Sequence, residues 1–139
     1  MRIPQGYSRE ELCLKISTCF QARPEISFAY IFSPLDHTPY ESYSDFDVAV
    51  QMPVYYDQNA ILEEKLILTD ELLFILPTEN FTLVAFNDTS FAFQKIILNT
   101  GILIFNRHPR AHNCFVASLI RRHPELAKHL SRNNKAGVR

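Results

Sequence analysis

The chain has 139 residues, 47% of them hydrophobic, and a formal net charge of -1. That is the size of one ordinary domain with a single packed core, and the balanced charge gives no reason to expect nucleic acid as the main partner. No apolar run is long enough to cross a bilayer, and the opening stretch MRIPQGYSREELCLK lacks the apolar segment of a secretory signal. Cys13, Cys19 and Cys114 form no C-x-x-C pair, which predicts reduced thiols in a cytoplasm. With only 3 glycines, the chain has little material for a glycine-rich phosphate loop.

Ser8 followed by Glu11 is a capping-box signature, and Leu12, Ile16 and Cys19 recur at helical spacing. A first helix is predicted from about Ser8 to Ala22, stopped by Pro24. EISFAYIFS is rich in β-branched and aromatic residues and predicts a strand. LDHTPYESYS is a polar loop with Pro39. DFDVAVQM predicts a second strand, closed by Pro53 and paired antiparallel to the first.

NAILEEKLILTDELLFIL then has helical spacing, with Asn59 as its expected cap and Pro77 beyond its end. NFTLVAF predicts a third strand. NDTSFAFQKIILNTG predicts a short helix with Gly101 as a left-handed stop. ILIF is a short strand, and a helix runs from Pro109 to about Leu130, kinked or broken by Pro124. The polar residues from about 131 to 139 predict a mobile tail. This order predicts one domain over residues 1–139, of α/β or α+β class, with a small mixed sheet and helices packed to one side.

Asp45 and Asp47 flank Phe46 at the start of the second strand. Strand side chains alternate, so the two carboxylates share a face while Phe46 and Val48 point into the core. Such a pair can hold Mg²⁺ beside substrate phosphates. The D-x-D spacing alone is weak evidence, but its context is specific. SYSDFDVAV, placed after FAYIFS and a loop, resembles the signature of the nucleotidyltransferases related to DNA polymerase β. It is most similar to the minimal nucleotidyltransferases (MNT) that act as antitoxins beside HEPN-type toxins. That motif runs Gly-Ser, a few residues, Gly, then a loop ending Ser-Asp-x-Asp. Ser33 falls at its Ser, and Ser44, Asp45 and Asp47 match the loop end. A second block, FTLVAFNDTSFAFQKIILNTGILIFNR, is similar to the stretch in which an acidic strand leads to Leu-Asn-Asp, an apolar helix and a Gly. Asn87, Asp88 and Gly101 hold those places. The resemblance covers the chain from about Phe28 to Arg107.

The resemblance implies a nucleotidyltransferase fold, with Asp45 and Asp47 as the catalytic, Mg²⁺-holding pair and Ser33 and Ser44 as contacts to a nucleoside triphosphate. The motif is also broken at its chemistry. The first Gly is Phe32, the second is His37, and the third carboxylate is Thr82. Asn80 is neutral, Glu79 points to the other face, and Asp88 lies beyond the strand end. Two functions follow. One is a catalytically degenerate antitoxin, or partner-binding subunit, working by contact with a HEPN-type toxin. The other is an active Mg²⁺-dependent enzyme that moves a nucleoside monophosphate onto a protein hydroxyl.

Other features carry less. His108 and His112 have helical metal-binding spacing without an evident third ligand. Arg107, Arg110, Arg121, Arg122, Lys128 and Arg132 form either a solvated helix surface or a basic face for an acidic partner. Arg122 and His129 echo the Arg-to-His spacing of HEPN ribonucleases, which Pro124 interrupts. Tyr40, Tyr43, Tyr55 and Tyr56 flank the cleft loops and suit either a nucleotide base or a partner interface.

Overall fold

A computed structural model describes residues 1–33 and 44–128. The loop with His37, Pro39, Tyr40 and Tyr43 lies outside the described residues, as do Arg132 and the expected Arg122–His129 pairing and tail.

Helix α1 spans Arg9–Gln21 and opens on the expected capping box, in which Ser8 and Glu11 bond reciprocally at 3.1 Å. Strands β1 (Phe28–Phe32) and β2 (Phe46–Gln51) pair antiparallel as expected. Helix α2 (Gln58–Ile75) is capped by Asp57, not Asn59: the Asp57 carboxylate accepts from the Ala60 amide at 2.8 Å. Both residues are good caps, and the chain's exit from β2 selects the earlier one. Strand β3 (Phe81–Ala85) leads into a 3₁₀ turn at Phe86–Asp88. Helix α3 (Phe91–Thr100) follows, capped by Ser90. Strand β4 (Ile102–Asn106) and helix α4 (Pro109–Arg122) complete the described elements, and α4 ends short of Pro124.

The sheet is mixed, in the order β3-β2-β1-β4. β1 runs antiparallel to both neighbours, while β2 and β3 are parallel and joined through α2.

The helices cover both faces of this sheet, which corrects the expectation of a single covered face. On one face, Leu12, Ile16 and Phe20 of α1 and Ile61, Leu68 and Leu72 of α2 pack on Ile31, Val48, Val50 and Leu83. On the other, Ile97 and Leu98 of α3 and Leu119 of α4 pack on Phe28, Tyr30, Phe32 and Phe86. The reason is visible in β1, FAYIF, where every residue is buried. A strand apolar at successive positions needs cover on both sides.

Gly101 closes α3 in extended backbone, at φ -91° and ψ 168°, rather than in the expected left-handed state. Space is what requires it. A Cβ there would stand 2.6 Å from the Ile97 carbonyl oxygen, 3.2 Å from that of Ile31 and 3.3 Å from Phe32 Cβ. Among the described residues, no helix is long and apolar enough to cross a membrane.

Candidate functional site

Three adjacent strands bring one residue each into a single row. Phe32 on β1 is the register partner of Asp47 on β2, and Asp47 is the register partner of Thr82 on β3. Directly paired residues share a sheet face, so Phe32 and Thr82 flank Asp47 on its own side. The Phe32 ring is fully buried and meets Phe93 edge-on at 5.9 Å. Bulk therefore fills the β1 position that the sequence resemblance aligns with the motif's first glycine.

Asp47 is buried, at 6% exposure. Its Oδ1 accepts the Thr82 backbone N–H at 3.2 Å. Burial raises its pKa, and the hydrogen bonds from Ser44 and the Thr82 backbone oppose that rise. Ser44 Oγ lies 3.2 Å from Thr82 Oγ1. Ser44, Asp47 and Thr82 thus form one hydrogen-bonded group, in which Thr82 supplies a hydroxyl and an amide but no charge.

Asp45 sits just before β2 and answers to a different set of donors. Its Oδ2 accepts from Thr78 Oγ1 at 3.4 Å and its Oδ1 from Asn80 Nδ2 at 3.2 Å. Arg2 Nε stands 3.7 Å from Oδ1. Main-chain bonds fix the position: the Arg2 amide donates to the Asp45 carbonyl and the Asp45 amide to that of Asn80, each at 2.7 Å. Sequence reading left Arg2 and Thr78 out of the site and treated Asn80 only as a failed substitute acid. The polar turn TEN after Pro77 is the signal that could have found Thr78.

Ser33, at the end of β1, is buried, and among the described residues its hydroxyl has no hydrogen-bond partner. Of the two expected triphosphate contacts, Ser33 and Ser44, only Ser44 has a hydrogen-bond partner among the described residues. His37 lies outside the described residues.

A two-metal phosphoryl clamp needs hard oxygen ligands converging on both ions. No group of three His, Cys, Asp or Glu side chains among the described residues could hold a metal ion. Among the described residues, Asp45 and Asp47 are not joined by a third carboxylate that would complete that clamp.

The remaining candidates have structural duties. Asn87 clamps the end of β2, its Oδ1 accepting from the Met52 amide at 2.9 Å and its Nδ2 donating to the carbonyls of Met52 (3.0 Å) and Pro53 (3.1 Å). Asp88 pairs with Lys65 at 3.5 Å. His112 Nε2 meets the buried Tyr30 hydroxyl at 2.6 Å, and burial lowers its pKa. His108 precedes α4 as its cap residue. The two histidines therefore do not form a metal site with any third ligand among the described residues.

The basic cluster is also divided. Arg107 turns inward and donates to the carbonyls of Phe20, Gln21, Arg23 and Ile26, and Arg122 lies over the Phe91 ring at 3.8 Å. Tyr55 is 81% exposed and meets Tyr56 edge-on.

Residues 14–110, well over half of the chain, match the family model described as polymerase beta, nucleotidyltransferase. The chain belongs to that family. Its fold is also that of several solved structures. One is the MNT antitoxin complex with a tri-AMPylated HEPN toxin from Shewanella oneidensis, with 20% identity, a TM-score of 0.56 and coverage of 93% of this chain and 94% of that one. A second is the toxin–antitoxin MntA–HepT, with 19% identity, a TM-score of 0.55 and coverage of 92% and 94%. A third is a toxin–antitoxin with AMP-PNP, with 19% identity, a TM-score of 0.53 and coverage of 89% and 93%. At these identities the likeness shows the fold. No curated protein matches the chain.

Proposed function

We propose that this chain is the antitoxin, or partner-binding subunit, of a HEPN/MNT-type toxin–antitoxin pair, and that it acts by contact rather than by nucleotide transfer. The row Phe32–Asp47–Thr82 carries the reading. Transfer in this family draws on a nucleoside triphosphate and Mg²⁺. Here the flanking positions hold a packed ring and an uncharged hydroxyl. Loss of one charge-stabilising group at a reacting centre costs about 10²–10³ in rate, and this row lacks both the open backbone and the further acid. The fold likeness to an MNT antitoxin solved with a HEPN toxin, and to MntA solved with HepT, supports the toxin as partner. Such a pair meets in the cytoplasm, where the free cysteines stay reduced.

The alternative of an active transferase rests on the retained Asp45 and Asp47. Co-expression with the cognate toxin separates the two readings. Wild type and an Asp45→Ala, Asp47→Ala double variant should restore growth equally. A folded double variant that fails to protect, while wild type succeeds and labels the toxin from ATP, would overturn the contact reading.

A further inference from the structure

Helix α2 has a second apolar face that the fold does not use. Ile61, Leu68 and Leu72 are buried in the core, whereas Leu62 (54%), Leu66 (63%), Ile67 (37%), Leu73 (41%) and Phe74 (91%) are exposed. At about 100° per residue, these five fall within an arc of about 140° on the side away from the core. Apolar side chains scattered singly over a surface need no explanation, but five on one face of one helix do.

Charge narrows what can cover this face. Glu63 and Asp70 lie inside the arc, between Leu62, Leu66 and Leu73 on one flank and Ile67 and Phe74 on the other. Both are exposed. The only cation in α2 is Lys65, which lies on another side and is held by Asp88 at 3.5 Å. Glu64 and Glu71 also lie toward the core side, where Arg23 pairs with Glu71. A second copy of the chain is a poor occupant. Packing α2 on α2 would enclose Glu63 and Asp70 of both copies in one apolar seam without a matching cation, and desolvated unpaired carboxylates are costly. An anionic membrane surface is repelled by the same two residues.

We propose that the outer face of α2 is a docking surface for an amphipathic helix of a partner protein, one that sets Lys or Arg between its own apolar residues. The leucines on one flank and Ile67 and Phe74 on the other take the partner's apolar residues, and Glu63 and Asp70 take the cations set between them. The occupant being a protein rests on the partner-binding reading above; the place and its chemistry rest on α2.

The test uses the full chain and two labelled helical peptides. Both carry Leu at helical spacing, and one has Arg where the other has Glu. Fluorescence anisotropy should show the Arg peptide binding at least about tenfold more tightly than its Glu twin. Leu66→Glu should abolish that binding, and Glu63→Lys with Asp70→Lys should invert the preference. These positions are exposed, so circular dichroism should show an unchanged fold in each variant. Equal binding of the two peptides, no binding, or binding that survives Leu66→Glu would overturn the proposal. So would a dimer in sedimentation that Leu66→Glu dissolves. Failure of wild type to neutralise a toxin would sink the antitoxin reading without altering this measurement.

Discussion

Thr82 stands directly across the parallel ladder from Asp47, and its backbone N–H donates to Asp47 Oδ1 at 3.2 Å. Thr82 is therefore a neutral neighbour that satisfies Asp47, at the position that the sequence resemblance aligns with a third acid. Replacing Thr82 by Glu would set a like charge beside a carboxylate whose pKa burial already raises. The Thr82→Glu variant should lose about 1–2 kcal/mol at neutral pH and regain it with millimolar Mg²⁺. Wild type should not respond. Thermal unfolding with and without Mg²⁺ reads both, and a variant indifferent to the ion would argue against this geometry.

A second expectation concerns pH. Glu64 is raised to about 7, first by burial and then by its hydrogen bond with Glu25, from an ordinary value of 4.5. Glu25 is shifted down, chiefly by the same bond. The folded state therefore holds a proton on Glu64 that the unfolded chain has released. Its stabilising effect is complete below about pH 4.5 and is lost as pH rises through about 7. Glu25 has the opposite sign, but its loss occurs below its own ordinary value, outside that window. The unfolding midpoint of wild type should fall between about pH 5 and about pH 8. Glu64→Gln should flatten the fall, and an equally steep profile in that variant would refute the assignment.

Asn87 makes three hydrogen bonds to the chain leaving β2. Asn87→Ala should strand the Met52 amide and cost about 1–3 kcal/mol in urea unfolding. A change below about 0.5 kcal/mol, the range of ordinary surface substitutions, would show that the clamp is dispensable.

Gly101→Ala would place a methyl 2.6 Å from the Ile97 carbonyl oxygen and 3.3 Å from Phe32 Cβ. Overpacking of this kind costs about 1–3 kcal/mol. A neutral or stabilised variant in the same unfolding measurement would mean that conformational freedom, not space, sets this glycine.

Much of this architecture was legible in the residues. Ser8 and Glu11 announced α1, and the alternation in FDVAV set which face Asp47 takes. The motif resemblance drew attention to Thr82, and the β2–β3 register puts that residue beside Asp47. Other features depend on contacts between distant segments. FAYIF, apolar at every position, calls for cover on both faces, but which helices supply it is set by distant segments. Gly101 fits a helix stop equally well whether φ or crowding demands it, and the crowding comes from Ile31 and Phe32. Arg107 reads as a surface cation until the carbonyls of Phe20, Gln21, Arg23 and Ile26 converge on it. The hydrogen bonds from Thr78 and Asn80 that occupy Asp45 likewise arise only when the turn before β3 folds against β2.

We propose that the Asp45–Asp47 pair no longer serves nucleotide transfer. Calorimetry of ATP with Mg²⁺ tests it most directly, on wild type and on the Asp45→Ala, Asp47→Ala double variant. Neither protein should give Mg²⁺-dependent heat at millimolar ATP. Binding that requires Mg²⁺ and disappears in the double variant would contradict it and return the chain to the active transferases.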